Sequence, residues 1–125
     1  MVKLAGETLA AIGRMTVAAT ELEHTLAAIG AHRADGDADA LFARPGAALR
    51  AAREAVRSAP RTHRDDHVNM VEGAGTQLAV SQAALRAMWR PGGRTDPAMF
   101  DEITARLLRC RDTLHELAQT ASSTA

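Results

Sequence analysis

Aromatic residues are scarce in this chain of 125 residues, which has one Trp, two Phe and no Tyr. Strands favour aromatic and β-branched side chains, because these pack well on a pleated surface. The sequence is rich instead in alanine and arginine, both of which are good helix formers. The composition therefore predicts an all-α fold.

Cysteine is almost absent as well, since Cys110 is the single one. One cysteine excludes an intrachain disulfide and a thiolate metal cluster. Cys110 falls in a predicted apolar seam, where it is expected to act as a small hydrophobic side chain.

A charge excess and a long apolar run are also missing. Lys and Arg total 15 and Asp and Glu total 15, for a formal net charge of +0, so steering of the whole molecule toward nucleic acid or an anionic membrane is not implied. No stretch approaches the roughly 20 apolar residues that span a bilayer. Residues 1–6 lack a charged region followed by an apolar run, so a cytoplasmic location is the default expectation.

The length fits one domain, which we place at residues 1–119, followed by a tail of small and polar residues at 120–125 that we expect to be frayed. The first helix is predicted over residues 4–29, with apolar residues spaced by three and four on one stripe. Gly30 is its predicted C-cap. Residues 31–39 read as a loop whose aspartates, Asp35, Asp37 and Asp39, are candidate N-caps.

The rest of the chain contains helix signals separated by Pro and Gly. A short helical piece is expected at residues 40–43, and Pro45 or Gly46 opens a second helix that reaches Ser58. A third helix covers residues 62–90, and a fourth begins at Thr95 or Asp96 after a Pro-Gly-Gly turn. Three long helices and a shorter one predict an antiparallel four-helix bundle.

The third helix contains a polar interruption. Its predicted seam is Val68, Val71, Gly75, Leu78, Gln82, Leu85 and Trp89. By helical phase Gln82 points inward, with Ser81 and Arg86 on the shoulders of the seam. Arg86 could satisfy the Gln82 amide, and Trp89 could stack on the guanidinium. The alternative is that a buried polar residue fixes helix register or oligomeric state.

Two pairs of residues have the spacing of bundle metal ligands, Glu21 with His24 and Asp112 with His115. At about 100° per residue, His24 points nearly opposite the seam and His115 toward a flank. A buried metal needs inward ligands, so these side chains are interpreted as surface residues. We also find no nucleophile elbow, phosphate loop or dinucleotide fingerprint, and expect no cofactor.

A stripe of arginines follows the second helix and its exit: Arg50, Arg53, Arg57, Arg61 and Arg64. It could hold phosphates or an acidic partner protein. The alternative interpretation is a solvated helix flank, because the chain is neutral and no aromatic residue lies between the arginines.

Residues 78–89, LAVSQAALRAMW, resemble the signature helix of the HEPN superfamily of small helical bundles. In active members that helix reads Arg-Asn, a few residues, then His, often with Trp shortly after. Leu22-Glu23 on a long first helix, and a final helix after a Pro/Gly turn, suit bacterial relatives. The resemblance implies a bundle that pairs as a homodimer and belongs with metal-independent ribonucleases.

The catalytic positions of that motif are substituted. Ser81 stands where the arginine is expected, Gln82 where the asparagine is, and Arg86 where the histidine is. Arginine stays protonated at neutral pH and cannot act as a general base. The leading hypothesis is therefore a non-catalytic HEPN-like module that binds a partner protein, RNA or a small ligand through Ser81, Gln82, Arg86 and Trp89. Its expected homodimer also rests on Leu108, which points away from the core stripe of its own helix.

Two other functions remain open from the sequence. Arg61 and His67 have the arginine-to-histidine spacing of the active motif and could form a ribonuclease site. His63, His67 and Glu72 could instead bind a metal or a small molecule.

Overall fold

The computed structural model describes residues 4–34 and 36–123, and for residues 33, 34, 118 and 120–123 it describes the backbone alone. The described chain forms five helices and no strand: α1 (Gly6–Ala34), α2 (Ala38–Ala43), α3 (Ala47–Arg57), α4 (Arg61–Ala87) and α5 (Pro97–Ser123). The predicted all-α helical bundle is confirmed. α5 reaches Ser123, although a frayed tail was expected from Thr120, and residues 124 and 125 lie outside the described residues.

The helix directions depart from a fully antiparallel bundle. Thr8 donates to the carbonyl of Thr95, and Arg14 pairs with Asp101. Residue numbers therefore rise together along α1 and α5, and these helices run parallel. Arg53 pairs with Glu72 while Leu49 lies against Gly75, so α3 and α4 are antiparallel, as predicted.

The helix α2 explains the parallel arrangement. The Phe42 and His24 rings form a T-shaped contact, with their centroids 5.4 Å apart, so α2 carries the chain back along α1 to the level of His24. α3 then starts beside α1 and runs in the same direction. The four longer helices form a ring in the order α1, α5, α4, α3, with α2 packed on α1 and α3.

The end of α1 differs from its prediction. Gly30 was expected to cap the helix, but α1 continues to Ala34 and Gly30 is buried within it. A Cβ on Gly30 would lie 2.5 Å from Cβ of Ala51. The glycine is thus required by close packing of α1 on α3, and not by a left-handed cap.

The other helix boundaries follow the predicted signals closely. The Asp37 side chain accepts from the backbone N–H of Asp39 at 3.0 Å and caps α2. The Pro-Gly-Gly turn joins α4 to α5, with Gly92 at a φ of 74°. A Cβ on Gly93 would lie 2.1 Å from the carbonyl oxygen of Ala87, so this turn needs glycine at two successive positions.

The core lies between the longer helices and is built from aliphatic side chains and Phe100. Its largest fully buried side chains are Phe100, Met15, Leu22, Leu26, Leu107, Leu114 and Val71. No helix in the described ranges is long and apolar enough to cross a membrane.

The predicted seam of α4 is wrong at Gln82. The buried residues of α4 are Val71, Ala74, Leu78 and Ser81, and the buried stripe passes on the Ser81 side of the helix. Gln82, Arg86 and Trp89 are exposed. Ser81 donates its hydroxyl to the carbonyl of Leu78 at 2.7 Å, which satisfies a buried polar group locally.

Candidate binding surfaces

The C-terminal end of α4 presents a polar and aromatic surface to solvent. Gln82 and Arg86 are spaced by four residues on one side of α4, and Trp89 follows in the turn after the helix, where its backbone N–H donates to the carbonyl of Arg86 at 3.1 Å. Trp89 is the only tryptophan of the chain and is 65% exposed. We call Gln82, Arg86, Trp89 and the adjacent exposed Arg90 the α4 end surface. Burying an aromatic ring of this size is a large source of binding energy, and here the ring remains in water.

The charge on the α4 end surface is of one sign. No Asp or Glu occurs in residues 73–95. The guanidinium groups of Arg86 and Arg90 have no hydrogen-bond or ion-pair partner within the described residues. Both arginines also lie at the negative end of the α4 dipole, which favours cations there. The surface combines an exposed ring with two unneutralised cations.

The interactions expected between these residues are only partly possible. Because Ser81 is buried and its hydroxyl is bonded within α4, it faces away from the α4 end surface. Gln82 has no seam to interrupt, so neither of its predicted roles inside the core applies. The buried polar atom without a hydrogen-bond partner in the described structure is Oε1 of Gln77, a position that sequence reasoning passed over.

The N-terminal end of α4 carries Arg61 and His67, the two residues of the alternative ribonuclease site. Arg61 is exposed in the first turn, whereas His67 is partly buried and its ring stacks on His63 at a centroid distance of 5.8 Å. Six residues on a helix place the two predicted side chains about 120° apart around its axis. Burial lowers the pKa of His67, and the neighbouring His63 lowers it further against an opposing effect of Asp66. The structure thus brings His67 to His63 and not to Arg61.

The arginine stripe is divided by interactions within the chain. Arg53 forms a two-pronged ion pair with Glu72 at 2.8 and 3.2 Å. Arg64 donates to the carbonyl of Ala59, in the turn between α3 and α4. Arg50, Arg57 and Arg61 remain exposed, so the stripe does not form one continuous cationic surface.

The ion pair of Glu72 also bears on the predicted metal site. Its carboxylate is engaged by Arg53, away from the stacked His63 and His67. In the part of the chain that the structure describes, no group of three His, Cys, Asp or Glu side chains is placed to hold a metal ion.

The structure also brings together the two pairs that were assigned to the surface. Glu21 and His24 of α1, and Asp112 and His115 of α5, line one open groove of about 440 Å³ with Arg111 between them. Arg111 donates to both Glu21 and Asp112, and these hydrogen bonds raise its pKa. The guanidinium thus links one carboxylate from each pair. Helical phase correctly placed the pairs outside the core, but it could not show that they meet.

A second hollow of about 510 Å³ continues from this groove along α1 and α5. Its mostly apolar lining includes Gly13, Val17, Ala18 and Leu108. Val17 is 57% exposed, and Leu9, which lies about two helical turns before it and about 80° away around the α1 axis, is 55% exposed. The signal for this face is present in the sequence as apolar residues at positions 9 and 17, outside the core stripe.

No protein-family model matches the chain, and neither the curated proteins nor the solved structures searched give a match. The resemblance of residues 78–89 to the HEPN signature helix therefore stays an expectation.

Proposed function

We propose that the chain is a non-catalytic binding module, and that the α4 end surface binds single-stranded RNA. The observation that carries the proposal is the exposure of Trp89 in the turn that follows Arg86 at the end of α4, in a stretch of sequence without carboxylates. Proteins that bind single strands combine an aromatic ring, on which a base stacks, with cations that follow the phosphates.

Each side chain of the α4 end surface has a chemical role in this proposal. A base stacks on the indole of Trp89, an interaction typically worth about 1–3 kcal/mol. Arg86 and Arg90 donate to phosphate oxygens, for which the planar guanidinium is well suited. The Gln82 amide carries both donors and an acceptor and can bond a base edge.

The same residues argue against catalysis at this surface. Cleavage of RNA by acid–base chemistry requires a group that exchanges a proton near neutral pH. Residues 73–90 contain no His, Asp, Glu, Cys or Lys, and arginine stays protonated. The proposal is therefore binding without cleavage, which agrees with the substitutions in the HEPN-like motif.

A homodimer is part of the proposal, as the resemblance implies. Two α4 end surfaces on one dimer would let a longer strand contact both chains, which raises the overall affinity without a new contact.

The test uses the fluorescence of Trp89, which reports on this surface alone because the chain has no second Trp and no Tyr. An RNA of about 12 nucleotides, within the usual site sizes of single-strand binders, is titrated at low salt. We expect quenching with a Kd of about 10–100 µM, which is typical of contacts that are mainly electrostatic.

Two controls decide between partners. Polyglutamate of equal charge offers anions but no bases, so it should quench Trp89 weakly. Equal quenching by both would indicate an acidic protein partner in place of RNA. The absence of any quenching by RNA, with the fold intact by circular dichroism, would contradict the proposal.

A further inference from the structure

Two ion pairs cross between α1 and α5 on their outer side, and their polarity is opposite. Arg14 of α1 pairs with Asp101 of α5 at 3.0 Å. About two turns further along α1, Glu21 pairs with Arg111, which lies nearly three turns after Asp101 on α5. Along α1 the positive Arg14 precedes the negative Glu21, whereas along the parallel α5 the negative Asp101 precedes the positive Arg111. We call these four side chains the corners of the face.

This arrangement is a square of alternating charges, and such a square is complementary to itself. If the two-fold axis runs along the helices in the plane of the face, α1 faces α5 of the second copy at the same level. If the axis runs across the helices in that plane, α1 faces α1 of the second copy in the opposite direction. In the first case Arg14 faces Asp101 of the second copy, and in the second case it faces Glu21 of the second copy. Each of the four corner charges meets an opposite charge either way, as an isologous interface requires, and Asp112, which also pairs with Arg111 at 2.8 Å, adds one carboxylate beside the fourth corner.

The area between the four corners is apolar. Val17 projects beside the hollow lined by Gly13, Ala18 and Leu108, and nothing lies within 4 Å of where a Cβ of Gly13 would be. Leu9 extends the apolar stripe toward the start of α1. Among the described residues, two of the three large hydrophobic side chains that are mostly exposed lie on this stripe, the third being Trp89. An apolar centre with a polar rim is the usual anatomy of a protein interface.

The dimensions of the face also suit a dimer. Helices of 29 and 27 residues are about 40 Å long at 1.5 Å per residue, and two of them side by side are about 20 Å wide. The product, about 800 Å², is an upper bound for the whole outer side of both helices, because α2 packs on part of α1, and it equals the area that each partner buries in a stable interface of standard size. The four corners enclose a stretch only about 10–15 Å long, so the interface extends beyond them along both helices.

We infer that the outer face of α1 and α5, bounded by Arg14, Asp101, Glu21 and Arg111 and centred on Val17, binds the same face of a second copy of the chain. The inference specifies the surface of the homodimer proposed above, and it does not depend on the binding of RNA. In the dimer, Val17 and Leu9 enter the hollows of the partner, and the intrachain ion pairs join into one network across the interface.

The test is sedimentation equilibrium on the full chain and on Val17→Glu. Val17 is mostly exposed in one chain, so the substitution leaves the fold intact, but it places an unpaired carboxylate at the dry centre of the interface. We expect a wild-type dimer and an increase of at least about 100-fold in the dimer Kd of the variant. Leu9→Glu, about two helical turns from Val17, should weaken the dimer in the same direction.

Ala79→Glu provides the matched control, since it adds the same charge at an exposed position of α4 and should leave the dimer Kd unchanged. A wild-type chain that is monomeric at about 100 µM, far above the Kd of an ordinary stable dimer, would overturn the inference. So would a Val17→Glu variant with the dimer Kd of Ala79→Glu. A monomeric wild-type chain would also remove the homodimer from the proposed function, whereas a dimer unaffected by Val17→Glu would overturn only this surface. Neither result bears on quenching of Trp89 by RNA.

Discussion

The two exposed surfaces of this small bundle differ in how their charges are balanced. On the outer face of α1 and α5, each corner charge has a partner on the neighbouring helix, Arg14 with Asp101 and Glu21 with Arg111. At the C-terminal end of α4, Arg86 and Arg90 stand beside Trp89 with no such partner among the described residues. The formal net charge of the chain is zero, yet the four corner charges of one surface balance one another and the other surface is cationic.

This difference indicates two kinds of partner. A face whose charges alternate around an apolar centre can bind its own copy, because rotation places opposite charges together. A cationic surface of one sign would repel its copy and instead suits an anion. Net charge alone hides both properties, since they depend on which helix carries each residue.

The largest expected effect separates the two surfaces by reversing the charge of one. Arg86→Glu combined with Arg90→Glu should weaken RNA binding by at least about 100-fold, because two phosphate contacts become repulsions. The dimer Kd should not change. RNA affinity is measured by anisotropy of a labelled strand, and mass by sedimentation.

Arg57→Glu is the control for that prediction, since Arg57 is an exposed arginine on α3. Equal loss of RNA binding in this control would show that general charge, and not the α4 end surface, attracts the strand.

A smaller effect is expected from one corner of the α1–α5 face. Arg14→Asp places a carboxylate against Asp101 in its own chain. In the dimer it places the same carboxylate against either Asp101 or Glu21 of the second copy. We expect the dimer Kd to rise about 10-fold through this repulsion. The unfolding free energy should change by no more than about 1 kcal/mol, because an exposed ion pair contributes little.

Arg94→Asp matches that variant, because Arg94 also forms an exposed ion pair, with Asp96 at 3.0 Å, away from the four corners. It should leave the dimer Kd unchanged. A dimer that responds equally to both substitutions would argue against the alternating square as the basis of association.

The smallest expected effect is on stability and comes from His67, at the N-terminal end of α4, which takes part in neither proposal. The pKa of His67 is lowered by burial and by His63. As the pH falls, His67 is therefore protonated at a higher pH in the unfolded chain than in the folded chain. The unfolding free energy should therefore fall slightly between about pH 7 and pH 5. His67→Gln should reduce this decline, and His63→Gln should reduce it less, as measured by urea unfolding. An unchanged slope in His67→Gln would exclude His67 as its source.

Much of the fold could be predicted because the sequence marks helices strongly. Apolar spacing identified the long helices, and Asp37 and the Pro-Gly-Gly turn were correctly assigned to boundaries. Gly30 was misinterpreted because a glycine that ends a helix and one that admits a neighbouring helix look the same in sequence. Only the position of Ala51 of α3 distinguishes them.

The buried side of α4 was harder to predict than its extent. The sets 71, 75, 78, 82 and 71, 74, 78, 81 both fit a helical stripe, and they differ in whether Ser81 or Gln82 faces inward. Packing against α3 and α5 selects the second set. The candidate surfaces could be predicted only in part for the same reason. Trp89 and Arg86 were singled out, but their exposure depends on that choice.

The α1–α5 face depended on a feature that no local pattern encodes. Glu21 and Arg111 meet because α1 and α5 run parallel, and this direction follows from the return of the chain through α2. An antiparallel arrangement would have placed different residues beside each other. The charges were visible in the sequence, but their pairing was not.

The most direct measurement of the central claim is a crossed assay of two variants, Val17→Glu and Trp89→Ala, each tested for dimer mass by sedimentation and for RNA affinity by anisotropy with a short strand that reaches one α4 end surface. We predict that Val17→Glu is a monomer that binds RNA with the wild-type affinity per chain, and that Trp89→Ala is a dimer that has lost binding. If either substitution removed both properties while the fold remained intact, the two surfaces would not be separate, and the account would be contradicted.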